Sequence, residues 1–311
     1  MMKNLKAPTV SQVIDAFIGQ HENREIDKNG AKRSGAESAK PYRRLHNSLD
    51  KFTKAKYKQQ FDTYSFSEVG EKFLLSYVAF LKQQEGGVST HLRKLRSVFY
   101  FAADRIGVPD INTSVFDCVR DELKQPEFAA KVIPSEVMRQ IENIDRSQFD
   151  KKEQLHIDLL LFCYYTGGMS CIDMAYLTHD CVKGDTLCYT REKAPKNAII
   201  PFIPSAKAIV EKYKGMTVGN YLLPIFTHKH TTEVKQTGRV KRIYERASDT
   251  FRKVQELVGC DEQPTWAGAR GTFIVEMLKA DYTEMALAEI VGLHPARICE
   301  YYSTPIMHGE M

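Results

Sequence analysis

The stretch from Pro264 to Tyr302, PTWAGARGTFIVEMLKADYTEMALAEIVGLHPARICEYY, constrains this chain more than any other. Phe273, Ile274, Met277 and Leu278 recur at helical spacing, so a helix with one apolar face begins near Arg270. A second helix follows and closes at Gly292, and Tyr302 lies ten residues beyond that glycine. The plain reading is a helical core in which these side chains only pack. A cation in the first turns of a helix sits at the end the macrodipole disfavours, which argues that Arg270 has another task.

Hydrophobic residues make up 43% and charged residues 27% of 311 positions, the balance of a globular chain long enough for two domains. No apolar run approaches the roughly 20 residues of a membrane span, and MMKNLKAPTV lacks the apolar region of a signal peptide. Seven cysteines are scattered without a C-x-x-C pair. They read as reduced core residues of a cytoplasmic protein, neither a disulfide frame nor a metal site. His228 and His230 invite a zinc reading, but without a carboxylate–histidine pattern beside them they read as loop residues or phosphate contacts. No metal and no cofactor is expected.

Charge is unevenly placed. Residues 1–60 hold thirteen Lys/Arg against six Asp/Glu, while the remainder holds thirty-one against thirty-three. A basic excess at one end suits a polyanion, because neutralising phosphates supplies most sequence-independent affinity for double-stranded DNA. A solvated basic surface without a partner is the alternative.

Along the chain, Val10, Val13, Ile14, Phe17 and Ile18 mark a helix capped by Thr9, and Lys28 to Ser38 reads as a loop or frayed helix end. Further helices are expected over Ala39–Ala55, Glu68–Gln84 and Ser89–Gly107, with a short extended piece at Thr63–Phe66. Their polar faces present Arg43, Arg44, Arg93, Lys94 and Arg96 as DNA-binding candidates. Residues 110–133 read as a linker. Beyond it come a helix from Ser135, the apolar helix HIDLLLFCYY, a basic hairpin of Thr186–Thr190 and Ala198–Pro201, and a basic helix over Val240–Leu257. That last helix carries Lys241, Arg242, Arg246, Arg252 and Lys253.

Thr265-Trp-Ala-Gly-Ala-Arg-Gly-Thr-Phe273, Gly292 and Tyr302 together resemble the end of the tyrosine recombinase (phage integrase) catalytic domain. There the pattern is T-x-H-x-x-R-H-T-F, a helix, a G-H pair, and a nucleophilic tyrosine ten residues past the glycine. Thr166-Gly-Gly-Met-Ser-Cys-Ile-Asp173 resembles the family's T-G-x-R-x-x-E motif, and Lys193 stands where its hairpin lysine belongs. The wording resembles a divergent subgroup of integrases and DNA invertases on mobile elements. The resemblance implies a mainly α fold with a small antiparallel β-hairpin or sheet. A SAM-like helical core-binding domain would span residues 1–125 and a recombinase catalytic domain 126–311.

The resemblance also implies the chemistry. A tyrosine stores the phosphodiester energy in a 3′-phosphotyrosyl link, and fixed cations answer the charge on the phosphorane. A lysine protonates the leaving 5′ oxygen. Residue by residue, Tyr302 (with Tyr301 as its rival), Arg270 and Lys193 match, and His294 lies one place past the family's histidine or tryptophan position, where this chain has Leu293. Ser170 replaces the first arginine, and Ala267 and Gly271 replace histidines. Arg191, Arg239 and His294 are the candidates for the missing cation, with Arg191 also a DNA-binding candidate. The resemblance implies an active site-specific recombinase that assembles as a dimer or tetramer on DNA, with no membrane association. The rival is a catalytically impaired homologue acting as a DNA-binding accessory factor. Nine residues follow Tyr302, so the tail that many members of the family pass to a neighbouring subunit is expected to be short or missing.

Overall fold

The computed structural model describes residues 7–23, 25–28, 31–34, 36–84, 87–124, 129–192 and 196–307. The chain divides into two compact units, Met1–Glu127 and Phe128–Met311.

In the first unit, α1 (Val10–Glu22) starts at a capping box in which Thr9 Oγ1 accepts from the Gln12 amide while Gln12 Oε1 accepts from the Thr9 amide. Two strands follow where the end of the first helix and a loop were expected, β1 (Glu25–Lys28) and β2 (Ala31–Ser34), antiparallel with Lys28 opposite Ala31. Between them the sequence reads Asn29-Gly30, the dipeptide most typical of a two-residue hairpin. Then come α2 (Ala36–Tyr57), α3 (Glu71–Gln83), α4 (Val88–Phe101) and the short α5 (Arg120–Leu123). The expected extended piece is two 3-10 turns, Phe61–Thr63 and Phe66–Glu68, the second held by Ser65 and Glu68.

Phe52 centres the core, with the rings of Phe73, Tyr77 and Phe80 at 5.1, 5.2 and 5.4 Å. Each such aromatic pair adds about 0.5–1.5 kcal/mol beyond its burial. Residues 113–123, read as linker, belong to this core: Val115, Phe116, Val119 and Leu123 are all buried in it.

The second unit is built around α7 (Lys151–Tyr165). Before it lies α6 (Ser135–Glu142), and Asp150 caps α7 by accepting from the Lys152 and Glu153 amides. Ile157, Leu159, Leu160 and Phe162 have no exposed surface, so the middle of α7 is buried on every side, as a central helix must be, with His156 and Asp158 among its buried residues. Next are α8 (Cys171–Tyr176) and a three-stranded antiparallel sheet of β3 (Val182–Lys183), β4 (Thr186–Thr190) and β5 (Asn197–Pro201). In that sheet Thr190 faces Asn197 and Thr186 faces Pro201. The remaining helices are α9 (Pro204–Lys212), α10 (Glu233–Val258), α11 (Trp266–Lys279), α12 (Glu284–Val291), α13 (Pro295–Ile298) and, after a π turn at Cys299–Ser303, α14 (Thr304–Met307). Among the described residues no helix is long and apolar enough to cross a membrane.

Two hydrophobic clusters make up this unit. The larger surrounds α7. The smaller joins Ile274 and Val275 of α11 to Leu287, Ala288 and Val291 of α12, with Ile298 and Tyr302. Residues 130–133 run across both. Ala130 and Val132 pack on the smaller cluster, Ile133 belongs to the larger, and the Thr272 hydroxyl bonds the Ile133 amide (3.0 Å) and carbonyl (2.6 Å). The crossing is close. A Cβ on Gly271 would stand 2.0 Å from the Lys131 carbonyl oxygen, and one on Gly268 would stand 2.8 Å from Ile133.

Candidate active site

The Thr166-Gly167-Gly168 turn, which ends α7, positions Arg270. Both glycines are left-handed (φ 70° and 75°), a conformation that costs an L side chain about 1–2 kcal/mol. The turn aims the Gly168 carbonyl at α11, where it accepts from Arg270 Nε (2.8 Å) and from a terminal guanidinium nitrogen (2.6 Å). The side chain lies on Gly168 so closely that a Cβ there would be 2.3 Å from Arg270 Cβ and Cγ. Glycine and arginine, 102 residues apart, therefore form one unit.

Tyr302 lies in the π turn Cys299–Ser303 and is only 4% exposed, packed in the smaller cluster with Ile298 buried one turn before it. Burial holds its phenol above the usual value, and the nearby Arg270 guanidinium works in the opposite direction. Arg270 and Tyr302 thus share one electrostatic neighbourhood. Tyr301 is half-buried.

Ser170, at the position of the family's first arginine, caps α8. Its hydroxyl donates to Asp173 Oδ2 (2.6 Å) and accepts from the Asp173 amide (3.3 Å). Asp173 Oδ1 accepts from the Glu192 amide (2.7 Å), which ties α8 to the end of β4. Lys193 lies outside the described residues.

Arg191 departs from its expected place on a DNA-facing surface. It is 9% exposed, and one terminal nitrogen donates to the Glu289 and Ile290 carbonyls (2.9 and 2.7 Å) in the last turn of α12. His294 is exposed and caps α13, its Nδ1 accepting from the Ala296 amide (3.2 Å). The neutral ring then carries its proton on Nε2.

Of the cations proposed for DNA in the first unit, Arg43 is exposed and pairs with Glu22, and Lys94 Nζ sits 4.9 Å from the Tyr42 ring centre. Arg44 is exposed, while Arg93 and Arg96 are half-buried. Arg93 Nε donates to the Ser89 carbonyl (3.3 Å).

The second unit adds a basic face that the sequence outlined only in part. α10 starts at Glu233, capped by Thr232, rather than near Val240; its first two turns bury nothing and carry no apolar period that would mark them in the sequence. Lys235, Arg239, Arg242 and Arg246 fall on one face, at intervals of four, three and four residues. None of the four has a carboxylate within 4.0 Å among the described residues, whereas Lys241, Arg252 and Lys253 pair with Glu245, Asp249 and Glu153. Burial and the neighbouring Arg242 and Arg246 make Arg239 less basic than an ordinary arginine, and its Nε donates to the Ile225 carbonyl (2.9 Å). At the start of the helix His228, Lys229, His230, Lys235 and Arg242 line a cavity of about 530 Å³. Burial, then Arg239 and Arg242, disfavour protonation of His230. Among the described residues no group of three or more His, Cys, Asp or Glu converges to hold a metal ion.

No protein-family model matches the sequence, and no curated protein does. Solved structures do match in architecture. The Tn1549 transposon integrase in complex with transposon right end DNA superposes over 94% of this chain and 94% of its own, with TM-score 0.64 and 17% identity. A lambda integrase dimer bound to a core site covers 95% of this chain and 77% of its own, with TM-score 0.61 and 11% identity. A lambda integrase tetramer bound to a Holliday junction gives 94%, 78% and 0.58 at 11% identity. This chain has the tyrosine recombinase fold. Within it, the mostly helical layout and small antiparallel sheet are those expected from the residues.

Proposed function

We propose that this protein is a site-specific DNA recombinase that cuts and rejoins duplex strands through Tyr302. The packing of Tyr302 against α11, the helix that carries Arg270, with the Arg270 guanidinium acting on the buried phenol, supports this reading above all. Tyr302 Oη attacks the scissile phosphorus, forming a 3′-phosphotyrosyl bond and releasing the 5′ oxygen. Lys193 gives that oxygen its proton, and the phenol's own proton leaves to His294, water or phosphate. Arg270 stabilises the phosphorane, a contribution of about 3–4 kcal/mol for a single well-placed donor. Attack by the 5′ hydroxyl of another strand reverses the step and restores Tyr302.

The first unit's Arg44, Arg93, Lys94 and Arg96 and the α10 face hold double-stranded DNA through its phosphates. Copies of the chain assemble on it as a dimer or tetramer, in the cytoplasm. Ser170 in place of the first arginine, together with the inward Arg191, favours a second reading, a DNA-binding relative that no longer cleaves.

A nicked suicide duplex made from the DNA flanking the protein's own gene decides between the two. An adduct that survives denaturation and is lost in Tyr302→Phe supports the first reading. DNA binding without an adduct supports the second.

A further inference from the structure

The clustering of the second unit sets a mechanical problem. Tyr302 belongs to the smaller hydrophobic cluster, with α12 and α13, while the loop that holds the Arg270 side chain belongs to the α7 core; α11, which carries Arg270, spans both, with Ala269 in the larger and Ile274 and Val275 in the smaller. Nucleophile and arginine can act on one phosphate only if the two clusters keep a fixed relation. Besides α11 and residues 130–133, Arg191 joins them from the sheet side. It lies at the end of β4, in the strand whose Leu187 and Tyr189 are part of the α7 core, and its guanidinium grips the last turn of α12.

Three observations make this more than ordinary packing. Gly292, which ends α12 at φ +71°, faces the guanidinium so closely that a Cβ would be 2.7 Å from Arg191 Cζ and 2.8 Å from Nε. Among the described residues the buried cation has no carboxylate within 4.0 Å, and its Nε has no hydrogen-bond partner. Among the described residues it is met by the Glu289 and Ile290 carbonyls at the negative end of the α12 dipole and by the Tyr189 ring, 6.0 Å away. Burying a cation on such terms costs free energy, so stability alone does not account for it. Finally, the neighbouring Glu192 amide is fixed by Asp173, whose partner Ser170 lies two residues after Gly168, the residue that holds Arg270. A continuous chain of contacts thus runs from the Arg270 support, through Asp173 and Arg191, to the helix before Tyr302.

We propose that Arg191 is a positioning residue that latches the Tyr302 segment to the sheet and so sets the nucleophile against Arg270. This rests on the recombinase reading above. The test compares wild type, Arg191→Met, Arg191→Lys, Gly292→Ala and the Arg191→Met/Gly292→Ala double variant. Three quantities are measured: adduct formation on the nicked duplex in a single turnover, affinity for the same duplex, and hydrogen exchange of the 288–293 amides.

Misplacing a reacting group by about 1 Å costs up to a hundredfold in rate. Arg191→Met should therefore slow adduct formation about ten- to a hundredfold while affinity stays within about twofold. The Gly292 amide, bonded to the Ala288 carbonyl at 2.9 Å, should exchange faster. Arg191→Lys should recover most of the rate, since one ammonium can still reach the carbonyls. Gly292→Ala should imitate Arg191→Met, and the double variant should be no slower than the worse single one. The latch is overturned if rate and affinity fall together, if Arg191→Lys is as slow as Arg191→Met, or if the two changes multiply. If wild type itself forms no adduct, the recombinase reading fails. The exchange data then still decide the latch, because unchanged protection of 288–293 in Arg191→Met removes it.

Discussion

Replacing Gly168 by alanine separates the cost of a backbone conformation from the cost of displacing Arg270. Gly168 and Gly184 are both left-handed, at φ +75° and +60°. A Cβ on Gly184 meets nothing within 4 Å, while one on Gly168 stands 2.3 Å from Arg270 Cβ and Cγ and 2.7 Å from Nε. Each alanine pays about 1–2 kcal/mol for its backbone. At Gly168 the arginine must also retreat by about 1 Å or more to regain a contact of about 3.5 Å. That strains or breaks its two bonds to the Gly168 carbonyl, and a hydrogen bond to a charged group contributes about 1.5–3 kcal/mol. Gly168→Ala should therefore cost about 3–5 kcal/mol and Gly184→Ala about 1–2 kcal/mol. Urea unfolding followed by Trp266 fluorescence measures this cleanly, because Trp266 is the chain's one tryptophan and lies on α11, in the second unit. Adduct formation should drop sharply in Gly168→Ala and persist in Gly184→Ala. Equal losses of stability, with cleavage intact in both, would refute the account of how Arg270 is held.

Tyr302→Phe should abolish the adduct and spare DNA binding, with Tyr301→Phe only weakening it; the reverse pattern on denaturing gels would move the nucleophile by one residue. Because burial raises the Tyr302 phenol, its reactive anion is scarce at neutral pH, so the single-turnover rate should climb with pH and still be climbing at about 10, the value of a free phenol. A rate flat from neutral to alkaline pH would contradict this. Arg242→Ala and Arg246→Ala should each lower the salt slope of duplex binding by about one, read from titrations at several salt concentrations, and an unchanged slope would take α10 out of the DNA contact. Gly271→Ala, a first step towards the family's histidine, should cost more than about 3 kcal/mol in the Trp266 assay, because its Cβ would meet the Lys131 carbonyl at 2.0 Å.

The parts of the fold that were legible are those with a repeating physical signal. HIDLLLFCYY declares a buried helix, and the β-branched and aromatic residues of Thr186–Thr190 and Asn197–Pro201 declare a hairpin. The first two turns of α10 were not legible, since no apolar residue there repeats, and the β1–β2 hairpin was hidden in a polar stretch whose one clue is Asn29-Gly30. In the site, Arg270 and Tyr302 stood out by spacing. Arg191 reads in the sequence as a candidate for the missing cation or for DNA, and its hold on α12 is not legible there because its partners are carbonyls 98 and 99 residues away and no local pattern announces a distant helix end. Gly271 read as a lost histidine for the same reason. The carbonyl that forbids a side chain there belongs to Lys131, far earlier in the chain.

Residues 130–133 bear on how this protein can be dissected. Pro134 looks like the natural place to begin a catalytic fragment, since α6 starts at Ser135 and the preceding segment has no regular structure. A fragment cut there would lose Ala130, Val132 and Ile133 from the two clusters and leave the Thr272 hydroxyl without its Ile133 partners. It would also open the glycine face of α11 at Gly268 and Gly271, two residues before and one after Arg270. A working fragment must therefore keep the residues from 129 onward, and an inactive one begun at Pro134 would report on the missing staple rather than on the chemistry of Tyr302.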